Sequence, residues 1–119
     1  MESVLKKKSF KFAVRIVNLY KHLSESKKEF VLSKQILKSG TAVGAMVCEA
    51  EHSESKADFI HKMAVAQKES NETIYWLNLM VETEYVSKHE FESIHDDAVE
   101  IIKMITSSIK TVKSTSNDR

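Results

Sequence analysis

The chain has no proline, two glycines and one cysteine in 119 residues. Without turn-forming glycine and proline, an antiparallel sandwich or a doubly wound sheet lacks the punctuation its many reversals need. A lone Cys48 closes no intrachain disulfide and reads as a small apolar residue, in keeping with a cytoplasmic protein. Long apolar runs are also missing: the longest, around Ala42–Val47, is far below the roughly 20 residues that span a bilayer. Lys6–Lys8 are followed by Lys11 and Arg15 and no small-residue cleavage site, so the start does not read as a secretory signal.

What remains is a chain with 42% hydrophobic and 29% charged residues, the balance of one globular, all-helical domain. Its net charge of +1 hides an asymmetry. Residues 1–38 hold ten Lys/Arg against three Glu, a net of +7, which leaves −6 for the rest. Such a division suits an anion-binding face, a complementary subunit contact, or simply two solvated surfaces.

Apolar residues recur at helical spacing in four stretches. The first helix spans about 10–23, with Phe12, Ala13, Ile16, Leu19, Tyr20 and Leu23 inward. The second spans about 29–52, with Leu32, Ile36, Gly40, Val43, Val47 and Ala50 on one face. Its small middle, Ser39–Ala45, marks either a close approach by a neighbouring helix or a break at Ser39–Gly40. Ser55 and Asp58 form a capping box with a shortened acid that opens a third helix over about 56–85. Ser87 and Glu90 open a fourth over about 88–112, leaving a polar tail at 114–119. Short joints make successive helices antiparallel, so the expected fold is an up-down-up-down four-helix bundle.

Several runs carry a family resemblance: Phe12-Ala-Val-Arg15-Ile-Val-Asn-Leu-Tyr20, Leu32-Ser-Lys-Gln-Ile36-Leu-Lys-Ser39-Gly40-Thr-Ala-Val-Gly44-Ala, and Ser55-Lys-Ala-Asp58-Phe59 followed by Ala66-Gln-Lys-Glu69-Ser-Asn-Glu72. Over about residues 10–112 the chain resembles the four-helix-bundle proteins encoded in intervening sequences of bacterial 23S ribosomal RNA genes. The Ser-Gly-Thr-x-x-Gly-Ala segment is the most specific piece. The resemblance implies a small bundle assembling as a ring, typically a homopentamer, with no established catalysis and no cofactor. Similar accessory proteins of diversity-generating retroelements are thought to bind nucleic acid; they are strongly basic, whereas this chain is near neutral.

Metal chemistry is the tempting alternative, since Glu49-x-x-His52 and Glu92-x-x-His95 both match the Glu-x-x-His of di-iron bundles. Helices two and four run in the same direction, however, and place the motifs roughly 22 Å apart along the axis at about 1.5 Å per residue. No metal site is expected. Gly40-x-x-x-Gly44 lacks the Lys-Ser/Thr ending of a phosphate loop, and nothing pairs Cys48 with a histidine. Glu49, Glu69 and Glu72 read as structural partners of Arg15 or Lys62, so no catalytic residue is assigned.

Two surfaces remain. On the third helix Val65, Tyr75, Trp76 and Leu79 fall at about 100–200° where the core centres near 320°, so they predict an oligomer interface. On the first two helices Lys11, Arg15, Lys34 and Lys38 point away from the core and suit backbone-directed contact with RNA or DNA. The function expected is a non-catalytic scaffold or adaptor; a small-molecule-binding ring or an enzyme using carboxylates are the alternatives.

Overall fold

The computed structural model describes residues 3–117, which form four helices: α1 (Val4–Glu25), α2 (Leu32–Glu51), α3 (Lys56–Glu82) and α4 (Lys88–Asn117). Among the described residues there is no strand. Each helix packs on its neighbours in the cyclic order α1, α2, α3, α4, and no close backbone approach joins the diagonal pairs, so the helices stand at the corners of a square. Contacts pair residues in opposite order along the α1–α2, α2–α3 and α1–α4 seams: Gly44 with Ser9 and Gly40 with Ile16, Ser39 with Thr73, Glu49 with Lys62, Lys8 with Glu100 and Arg15 with Asp97. The result is a rod of 54 × 24 × 21 Å.

Helix ends differ from the periodicity reading, each for a local reason. α1 begins at Val4 and not near residue 10, because Ser3 Oγ accepts the Lys6 N–H at 3.0 Å and Leu5 and Ser9 extend the buried stripe through the three lysines. α2 begins at Leu32 and not at Glu29. The Glu29 carboxylate instead accepts the N–H groups of Val31, Leu32 and Ser33 at 3.1, 3.0 and 2.7 Å, an N-terminal cap set back in the preceding turn. α3 ends at Glu82, short of Tyr85, where Glu84 adopts φ of 66° and the N–H groups of Tyr85 and Val86 fold back to the Met80 carbonyl. With no glycine at that position, the stop carries no composition signal. α4 continues to Asn117 through most of the expected tail, while residues 118–119 lie outside the described residues. The expected caps at Ser55 and Ser87 are present, the second reciprocal with Glu90.

α2 runs unbroken through Ser39–Gly40. A methyl group at Gly40 would lie 2.8 Å from both Ile16 Cγ1 and Cγ2, and one at Gly44 would lie 3.2 Å from the Ser9 carbonyl oxygen. The glycines therefore let the α1 backbone settle onto α2. The core is continuous along the rod, with Ile16, Leu23, Ile36, Val43, Leu77, Met80 and Ile105 fully buried. Ser39 and Thr73 share a buried hydrogen bond of 2.9 Å across the α2–α3 seam, and among the described residues no buried side-chain polar atom lacks a partner.

Two outcomes are expected. Gly40→Ala would gain about 1 kcal/mol of helix propensity in an open site; against the fixed Ile16 side chain it should instead destabilise by about 1–3 kcal/mol, and Ile16→Ala in the same chain should relieve the overlap in a denaturation series. Glu29 supplies the second. Burial raises its pKa, but the N–H donors of Leu32, Ser33 and Val31 and the Ser33 hydroxyl outweigh that, leaving it below the usual carboxylate value. Its contribution is therefore complete above the ordinary carboxylate pKa and is lost as pH falls through the lowered folded value. Glu29→Gln should cost about 1 kcal/mol at neutral pH, and the gap between wild type and variant should close in acid melts.

Candidate functional site

The four basic residues singled out from sequence do not form one strip. Arg15 Nη1 lies 2.9 Å from Asp97 Oδ2, and its Nη2 donates to Ser93 Oγ at 2.7 Å. Two turns earlier on α1, Lys8 Nζ reaches Glu100 Oε1 at 2.9 Å. These bonds cross the α1–α4 seam, which is sparser than the other three and leaves a cleft of about 220 Å³ lined by Lys11, Phe12 and Ile101 beside the ion pairs. Lys11 lies exposed at its rim. Lys34 and Lys38 are exposed on the outer face of α2, on a different side of the rod. Part of the acidic remainder thus faces α1 within the same chain.

The α3 patch is also divided. Tyr75 is 59% exposed, with its ring edge-on to Trp76 at 5.0 Å. Trp76 packs against the core, and its indole N–H donates to Glu72 Oε2 at 3.2 Å. Val65 and Leu79 are half-buried. The core arc of α3 includes Thr73 and Met80 and is rotated toward the Trp76 flank, which the helical-wheel estimate did not register.

A larger apolar surface lies where sequence reasoning did not place one. Val4, Phe10 and Val14 are exposed on α1, Phe10 to 68%. Beside them Phe10, Ala13, Thr41, Gly44, Ala45 and Cys48 line a groove of about 260 Å³ between α1 and α2. The signal was present in the four-residue spacing of Phe10 and Val14 off the core stripe, but it needed α1 to start early enough to include Val4. Phe30 and Val31, in the α1–α2 turn, are exposed as well.

The carboxylates singled out from sequence are scattered. Glu49 is exposed and 3.9 Å from Lys62, which also lies 3.4 Å from Asp58. Glu69 and Glu72 are half-buried along α3. Glu92 is exposed, while His95 stacks on Phe91 with ring centres 5.1 Å apart. Among the described residues no three His, Cys, Asp or Glu side chains are grouped as metal ligands would be. Cys48 is half-buried in the wall of the apolar groove. No helix among the described residues is long and apolar enough to cross a membrane.

Solved structures include a close relative of this arrangement. A protein of unknown function from the S23 ribosomal protein family of Bacteroides thetaiotaomicron VPI-5482 superposes with a TM-score of 0.89 at 57% identity, over 90% of this chain and 99% of that one. No curated protein matches the chain. The family model of the 23S rRNA-intervening sequence protein matches residues 1–107, spanning α1, α2, α3 and most of α4. With four antiparallel helices, the Gly40 and Gly44 contacts and this match in hand, the chain belongs to the 23S rRNA-intervening sequence protein family.

Proposed function

We propose that the protein is a non-catalytic, cytoplasmic scaffold or adaptor that works as a homo-oligomer. The observation that carries this reading is the apolar surface beside the α1–α2 groove: Phe10 and Val14 stand exposed although the chain already has a continuous core. Contiguous apolar surface on a small helical protein marks a partner surface, and an aromatic residue suits its centre. Tyr75 on α3 adds a second exposed aromatic on another side of the rod. A ring of five subunits is the assembly that the family resemblance implies. Against an enzyme stands the scatter of Glu49, Glu69 and Glu72; against a small-molecule site stand the groove of about 260 Å³, below the roughly 300–1,000 Å³ of most ligand pockets, and the charged lining, Glu82, Glu84, Glu92 and Lys88, of the more open cavity of about 670 Å³ at the α3–α4 turn.

Backbone-directed binding of RNA or DNA is the second reading. Lys11, Lys34 and Lys38 are exposed, and none has a carboxylate within 4.0 Å among the described residues. Repetition around an oligomer would let weak phosphate contacts add. Arg15 contributes less, because Asp97 and Ser93 already engage its guanidinium.

Light scattering during gel filtration tests the first reading. Wild type should elute as one oligomer at micromolar concentration, and Phe10→Asp with Val14→Asp should yield a helical monomer. A wild-type monomer across that range refutes assembly. Tyr75→Ala is the cleaner probe of the α3 patch, since Trp76→Ala also removes core packing. For the second reading, affinity for RNA and DNA should fall steeply with salt. Changing Lys11, Lys34 and Lys38 together to Gln should abolish binding, whereas Arg15→Gln should reduce it little. No binding by the intact oligomer at about 50 mM salt removes the nucleic-acid reading.

A further inference from the structure

The two turns at one end of the rod are opposite in charge, one carrying exposed apolar side chains and the other a cavity. In the α1–α2 turn Lys27 and Lys28 precede Phe30 and Val31, and Lys34 follows in the first turn of α2. Phe30 is 52% exposed and Val31 70%. They are held out by the turn itself: Lys28 adopts φ of 56°, the Glu29 N–H bonds to the Leu23 carbonyl, and the Glu29 carboxylate is turned onto the start of α2. Glu29 is the only acid among residues 26–38, so this corner presents an apolar knob among unopposed lysines.

The α3–α4 turn presents the converse. A cavity of about 670 Å³ opens there, with Val81, Val86 and Phe91 in its lining. Glu82, Glu84 and Glu92 also line it, against the single cation Lys88. Because the helices alternate in direction, both turns lie at the same end of the rod. Because the helices pack in a square, the α1–α2 edge and the α3–α4 edge lie on opposite sides. The knob cannot reach the cavity of its own chain across a body more than 20 Å wide.

We propose that the Phe30–Val31 knob of one copy docks in the α3–α4 cavity of a second copy of this chain, with its lysines against that copy's glutamates. The inference rests on the self-assembly reading above and adds its geometry. Knob and cavity sit on opposite sides at the same height, so copies stand side by side with parallel axes. Each contact is head-to-tail; with little axial offset, a fixed rotation between neighbouring copies closes a ring, the assembly the family resemblance implies. The exposed Phe10 and Val14 lie on the same α1–α2 side and extend the contact along α1. A single-stranded nucleic acid stacking on Phe30 is the weaker fit, because Phe30 is the one aromatic among residues 26–38 and offers no run of stacking faces.

Charge reversal in the full-length chain tests the proposal. K27E/K28E/K34E and E82K/E84K/E92K should each weaken assembly at least tenfold by light scattering, with helicity and melting temperature near wild type. The six-fold variant carrying both sets restores opposite charges at every contact and should recover the oligomer. Phe30→Ser should weaken assembly without changing the fold, and wild-type assembly should loosen between 50 and 500 mM salt, roughly as close ion pairs are screened. A wild-type oligomer indifferent to both triple reversals and to Phe30→Ser overturns the docking arrangement while leaving self-assembly intact. A folded six-fold variant that stays dissociated also overturns it. Loss of nucleic-acid binding in K27E/K28E/K34E with unchanged oligomer size would assign the corner to nucleic acid instead. A monomeric wild type would remove the assembly reading and this inference together.

Discussion

Ile16 occupies space over Gly40 that leaves no room for a methyl group, and the Ser9 carbonyl stands almost as close to Gly44. Two glycines in a helix interior cost about 1 kcal/mol each in propensity, and the close α1–α2 packing they permit offsets that cost. The approach has consequences on both sides of α1. Toward α2 it lets small residues, Ala13, Thr41, Gly44 and Ala45, floor a shallow apolar groove that larger side chains would fill. Toward α4 the seam is sparser, bridged at its surface by the long side chains of Lys8 and Arg15. A symmetric bundle with alanines at both positions could not seat α1 in this place.

Charge follows the same geometry. The basic first third and the acidic remainder meet across the α1–α4 seam, where Arg15 and Lys8 find Asp97 and Glu100. All four groups are substantially exposed, and such pairs contribute under about 1 kcal/mol each. Their effect lies more in the surfaces they leave. Once Arg15 and Lys8 are engaged by α4, the positive surface that remains includes Lys11 and the lysines of the α1–α2 turn and the start of α2, next to Phe30 and Val31. The remaining negative surface includes Glu82, Glu84 and Glu92 at the α3–α4 turn. Partial neutralisation within the chain thus concentrates opposite charges at opposite edges of one end.

Among the described residues the buried side-chain polar groups are all hydrogen-bonded. The buried hydroxyls bond to helix carbonyls or to each other: Ser70 to Ala66, Thr73 to Ser39 and Glu69. They specify how α2 and α3 align and leave no unsatisfied group facing a cavity. The exterior is where apolar side chains lie exposed and charges are unevenly shared.

The number of helices, the caps at Ser55 and Ser87 and the inward face of α2 were legible in the sequence because they depend on interactions within three or four residues. Periodicity and capping are local, and Ile36, Val43, Val47 and Ala50 are buried as their spacing requires. Where a feature depended on a longer reach, the sequence was silent or misleading. Leu5 and Ser9 join the core of α1 only because α2 lies against them, so the early start hid behind three lysines. Trp76 turned inward because tertiary packing widened and rotated the core arc of α3, a shift of one flank that 100° per residue cannot resolve. The carboxylates that meet Lys8 and Arg15 lie 92 and 82 residues away, a pairing no local spacing encodes. Composition and period determined that this chain is a four-helix bundle; only the packing of those helices decided which apolar side chains stayed outside, and so where a partner could bind.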